Sequence, residues 1–174
     1  MRRLLFGILV LSLILVVGGV VFANESAYIP VTARIPQMII MELDATELVF
    51  NEEDFDFILG SAYLVKAGVV ATKRRAVTAT ISGNVPYTLL ISASEEYLTG
   101  IGGGVVHISQ LRWRLPGLDD MEEWESITLE RVPVKSGPPG TLEVELDFQF
   151  IAFWENTAQT YKGEILLTVI PDGS

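Results

Sequence analysis

The sequence predicts an all-β protein, an antiparallel β-sandwich of about eight or nine strands behind an N-terminal signal segment. Three observations carry this. Apolar residues recur with period two along most of the chain, while the spacing of an amphipathic helix is almost absent. Clusters of Gly, Pro and Asn interrupt that alternation every ~8–12 residues, a rhythm of sheet turns rather than of βα units. The first 23 residues differ in composition from everything after them.

Those first residues read as an export signal. Arg2 and Arg3 give a short positive start, and residues 4–22 form an apolar run broken only by Ser12 and glycines. Val21-Phe22-Ala23 supplies the residues a signal peptidase tolerates, so cleavage is expected after Ala23. The run, at roughly 20 residues, also has the length of an uncleaved membrane anchor. Either way residues 24–174 are expected outside the cytoplasm as a single β-sandwich domain, touching the membrane only if the anchor is retained. The flanks of the arginine pair lack a twin-arginine pattern, and with no cysteine in the chain a lipoprotein anchor is excluded.

The domain opens with alternation: Ala27, Ile29, Val31, Ala33 and Ile35 share one parity, and Pro30 and Pro36 the other. Residues of equal parity direct their N–H groups to the same lateral edge, so the two prolines remove donors from one edge only. This suits an ordinary edge strand of the domain's own sheet. The sharper reading is a donor strand that inserts into a neighbouring subunit, with Ile29, Val31, Ala33 and Ile35 as its assembly face. Strands are then expected over 63–71, through Val77, Ala79 and Ile81, and through Tyr87, Leu89 and Ile91 after the Gly83-Asn84 turn. Further strands are expected over 105–113 and 127–132. The clearest alternation runs from Leu142 to Trp154, placing Leu142, Val144, Leu146, Phe148, Phe150 and Trp154 on the core face. A strand so long is expected to carry a bulge. The last strand, through Tyr161, Ile165, Leu167 and Val169, is expected to pair with it across the polar connection 155–159.

Composition narrows function mainly by exclusion. The chain has 12 basic and 22 acidic residues, and a surface this acidic repels nucleic acid and anionic lipid. Zero cysteines exclude a disulfide framework, thiolate metal sites and cysteine nucleophiles. His107 is the only histidine, too few for a histidine zinc site, and no G-x-S-x-G accompanies it. The acidic runs 52–56 and 119–125 read as solvated loop charge; Asp54 and Asp56 have the alternate spacing of calcium ligands but lack the rest of an EF-hand loop. The glycines of 100–104 precede a strand, whereas a phosphate cradle precedes a helix. No cofactor and no catalytic residue is therefore expected. Trp113 and Trp124, flanked by charges and loops, are the candidate platform for stacking on a sugar ring.

Leu111-Arg112-Trp113-Arg114-Leu115 contains a Trp-x-Leu step, and the chain closes with Tyr161-Lys162-Gly163 and alternating apolar residues up to Pro171. Together with the apolar, proline-bearing opening, these resemble WxL-type bacterial cell-surface domains and, more widely, exported immunoglobulin-like sandwich modules. The resemblance implies an envelope location, with Trp113 and Leu115 as motif positions for contact with wall glycan. A second Trp-x-Leu is absent near the C-terminus, where Leu167-Thr168-Val169 stands instead. The expectation is an exported, non-catalytic envelope protein with a structural or interaction role, whose partner is another protein or a copy of itself. The alternative is a glycan- or peptidoglycan-binding module that uses Trp113, Leu115 and Trp124.

Overall fold

The computed structural model describes residues 30–56, 67–117 and 124–172. The predicted signal segment, Ile29 and the predicted strand start at residue 63 lie outside the described residues. The chain divides at Ile35, and residues from Pro36 onward make one compact unit. In the preceding unit, residues 30–35 carry no regular secondary structure; Val31 is 87% exposed and Ile35 79%.

Twelve strands appear among the described residues, all paired antiparallel: β1 (Ile39–Leu43), β2 (Phe55–Asp56), β3 (Ala67–Gly83), β4 (Tyr87–Ala93), β5 (Tyr97–Gly100), β6 (Val105–His107), β7 (Leu111–Arg114), β8 (Glu125–Ser126), β9 (Val132–Gly137), β10 (Gly140–Phe153), β11 (Tyr161–Lys162) and β12 (Ile165–Pro171). One sheet has the order β1-β3-β10-β7-β8, with β2 also beside β3. A second has the order β12-β4-β9, and a small third one β11-β5-β6. The predicted antiparallel sandwich is the observed architecture.

Period two explains the core. Val77, Ala79 and Ile81 of β3 and Val144, Leu146 and Phe148 of β10 face Tyr87, Leu89 and Ile91 of β4, and all are buried. Each large side chain so buried contributes about 1.5–3 kcal/mol of hydrophobic stabilisation. The Tyr87 hydroxyl donates to the Ile81 carbonyl inside this core, linking the two sheets.

Two of the corners where the chain crosses between the sheets, β3 to β4 and β9 to β10, lie at one end. Gly83 is opposite both Ile39 and Gly140, and Gly137 is opposite Tyr87. Gly140 adopts φ 130°, which favours glycine, and a Cβ on Gly137 would meet the Tyr87 ring at 3.0 Å. Asn84 fastens the incoming chain here. Its Oδ1 accepts the Met38 N–H and its Nδ2 donates to the Pro36 carbonyl, both at 2.8 Å.

Several sequence expectations need correction. Residues 67–71 of the strand expected over 63–71, and the strand expected through Val77–Ile81, are parts of one long strand, β3, with a bulge at Arg74–Ala76: Val77 is opposite Leu146, but Lys73 is opposite Phe148. Arg75, φ 47°, sits in that bulge. The stretch 105–113 is broken by a 3-10 turn over Ile108–Gln110, and the strand expected over 127–132 begins only at Val132. β10 and the C-terminal segment do not pair: β10 lies between β3 and β7, β11 joins β5, and β12 joins β4. Trp154 is not in the core. A second register shift between Ala152 and Phe153 breaks the alternation, the strand ends, and the indole is 75% exposed.

Candidate functional site

β1 and β12 are end strands of the two main sheets, and on this side of the sandwich the two strands come close together without pairing. Ile39 and Met41 of β1 and Ile165, Leu167 and Val169 of β12 pack on the core yet stay only half-buried. On the opposite strand of the β12 sheet, β9, the inward Val134 is 8% exposed. Both β12 and β9 end their sheet, and Val132 of β9 is half-buried as well.

Parity fixes which backbone groups this edge presents. Ser94 N–H donates to Glu164 C=O, and Asp172 N–H to Pro86 C=O. With the register Leu166 opposite Ser92, Thr168 opposite Leu90 and Ile170 opposite Thr88, the even residues of β12 exchange their bonds with β4. Ile165, Leu167 and Val169 therefore direct N–H and C=O away from the sheet, and the same residues turn their side chains toward the core.

The aromatic residues take other places. Trp113 is 4% exposed and packs in the core, in register with Phe148. Leu115 packs against that core, half-buried. Trp124 is half-buried beneath the Arg114 guanidinium, 4.4 Å above the ring. The paired exposure expected of Trp113 and Trp124 is thus corrected, because β7 turns Trp113 into the core and Arg114 to the opposite face of the sheet, where it too is buried. Leu115 offers no exposed motif position either. No sequence signal pointed to Trp154 as the exposed indole.

Arg114 also belongs to a buried ion pair, its Nε 3.2 Å from Asp147 Oδ2. Asp147 Oδ1 accepts the Arg75 N–H at 2.8 Å and so fixes the β3 bulge. This network is structural.

His107 caps the 3-10 turn, its Nδ1 accepting the Ser109 N–H at 3.2 Å and lying 2.8 Å from Ser109 Oγ. Its Nε2 lies 3.6 Å from Glu96 Oε1, and Tyr97 meets the ring edge-on. Ser109 is thus engaged locally, two residues along the chain, by the nitrogen that already holds its own backbone.

In the acidic run 52–56, Glu52–Asp54 form a 3-10 turn that ends on Asp54, and Phe55–Asp56 are β2. Asp54 accepts the Asn51 N–H at 2.7 Å and pairs with Lys73 at 2.9 Å, and these hold its carboxyl below the usual carboxylate range. Asp44 is lowered likewise, chiefly by the Thr78 N–H on its Oδ1 at 2.6 Å. Among the described residues, no three acidic or histidine side chains gather as a metal site. The acidic residues 119–123 lie outside the described residues. The 100–104 glycines close the β5–β6 hairpin, Gly103 at φ 87° and Gly102 N–H on Gln159 Oε1 at 2.7 Å.

No protein-family model matches the chain, so the resemblance to WxL-type domains has no family match behind it, and no curated protein matches either. Among solved structures, one similar chain belongs to the CsuC–CsuE chaperone–tip adhesion subunit pre-assembly complex, from archaic chaperone-usher Csu pili of Acinetobacter baumannii. Identity is 12% and the TM-score 0.37, with 76% of this chain and 39% of that one covered. This chain therefore spans well under half of that neighbour, and a likeness at this level transfers neither residue roles nor function.

Proposed function

We propose that this chain is an exported, non-catalytic protein of the cell envelope whose role is structural or interactive, and that it assembles with other protein chains through exposed strand edges. The single observation behind this reading is the pair of end strands β1 and β12, whose inward apolar side chains stay half-covered beside backbone edges without a strand partner among the described residues. Such an edge invites pairing with another chain, and stable monomers usually blunt it. The exposed, alternating segment 30–35, with Ile29 before it, supplies a matching assembly element in the same molecule. Light scattering of residues 24–174 over a concentration series, with and without 24–36, tests the reading. Polymers that vanish on truncation, the remainder still folded, support it. A monomer at every concentration that also leaves envelope fractions unbound overturns it.

A further inference from the structure

We propose that the free edge of β12 is the acceptor for residues 27–35 of a second copy, which add to it as an antiparallel strand with Ile29, Val31, Ala33 and Ile35 turned toward the half-buried Ile165, Leu167 and Val169. This rests on the assembly reading above and names the docking site and its occupant.

Two independent parities meet in this pairing. Because Pro30 and Pro36 lack N–H, only the odd edge of the segment keeps every donor: Ile29, Val31, Ala33 and Ile35. The free edge of β12 is likewise its odd one, Ile165, Leu167 and Val169. In an antiparallel ladder, residues that exchange hydrogen bonds lie directly opposite and share a face. Odd-to-odd pairing therefore sets the four apolar side chains of the segment against the half-buried Ile165, Leu167 and Val169. A parallel ladder has the opposite effect, since each residue bonds to the neighbours of the one it faces, and the apolar side chains would turn to solvent.

That distinction selects a second copy over the chain's own segment. β1 starts at the corner end, Ile39 opposite Gly83, and Asn84 holds Pro36 there. β12 finishes at the same end, Pro171 opposite Tyr87. A segment folding back beside β12 within one molecule would run toward that corner, parallel to β12, in the unfavourable register. A segment from another copy is free to run antiparallel.

The other edges of the two main sheets are poorer acceptors. β8 has two residues, and β9 carries Pro133, Lys135 and a register shift. β1 is shorter than β12, five residues against seven. Once docked, the segment presents the edge without its proline donors and closes the sheet to further lateral growth. One donor and one acceptor on different surfaces give a head-to-tail contact, hence an open linear polymer.

The chain has no cysteine, so introduced pairs report contacts without background. Thr32→Cys, on the outward parity of the segment, is mixed with Thr168→Cys on the outer face of β12, both in residues 24–174. Ile40→Cys on β1 and Lys135→Cys on β9 serve as controls. Under mild oxidation the Thr32→Cys/Thr168→Cys heterodimer is expected to exceed either control pair by about tenfold, the effect of docked proximity. Polymers seen by light scattering with cross-links favouring β1 or β9, or with no preference, overturn the β12 assignment and leave assembly standing. Monomers with no preferred cross-link overturn both.

Discussion

Replacing Asp147 by alanine tests the central structural argument, that the β3 bulge is held by a buried ion pair. The Asp147 and Arg114 side chains are 4% and 5% exposed, so the pair exchanges little with water. Removing the carboxylate takes the Asp147 partner from a desolvated guanidinium, a change that costs about 3–5 kcal/mol. It also strands the Arg75 N–H in the bulge, where φ 47° depends on that acceptor. The two losses share one side chain and do not add. Against a total stability of about 5–15 kcal/mol the expected loss is large, and corresponds to a Tm lower by about 10–20 °C. Urea unfolding followed by the fluorescence of Trp113, buried two strands from the bulge, measures it. The double variant Asp147→Leu/Arg114→Met is expected to recover most of the loss, because the desolvation cost of both charges disappears together. A loss below about 1 kcal/mol for Asp147→Ala, or a double variant as unstable as the sum of the singles, would refute the argument.

Four further outcomes follow from the same coordinates. Arg75→Gly removes a Cβ from a left-handed position and only an exposed ion pair with Glu145, so urea denaturation should show a gain of about 0.5–1 kcal/mol. Gly137→Ala drives a methyl to 3.0 Å from Tyr87 and 3.1 Å from Leu142 at a closed corner, and should cost about 1–3 kcal/mol in the same assay. Acrylamide quenching should be dominated by Trp154, so Trp154→Phe removes most of the quenchable emission while Trp113→Phe removes little. Asp44 and Asp54 are lowered in the folded state, so their contribution is present above the unfolded pKa and is lost as pH falls through the folded one. Asp44→Asn should therefore flatten the acid limb of the stability–pH curve below the usual carboxylate range, read from urea midpoints at stepped pH.

Sequence by itself determined the fold class, the inward faces of β3, β4 and β10, and the glycine-marked corners. The reason is local: alternation is a property of neighbouring residues, and Gly83, Gly137 and Gly140 mark places where a side chain would collide or strain the backbone. Partnership was not legible. Leu142–Phe150 and Ile165–Val169 have the same alternation, and nothing local says that the first lies between β3 and β7 while the second forms an edge beside β4. Trp113 and Trp154 show the same limit. Alternation carried as far as Trp154 predicts burial, but the register shift after Ala152 depends on where β3 ends its pairing. Charged neighbours suggested an exposed Trp113, whereas Asp147 across the ladder neutralises Arg114 and lets β7 sink its tryptophan into the core. The half-burial of Ile165, Leu167 and Val169 is likewise a tertiary property, since it depends on which elements the fold brings against β12. Hydrogen-bond parity along a strand is written in the sequence; which edge is left without a neighbour is decided only when the sheets are assembled.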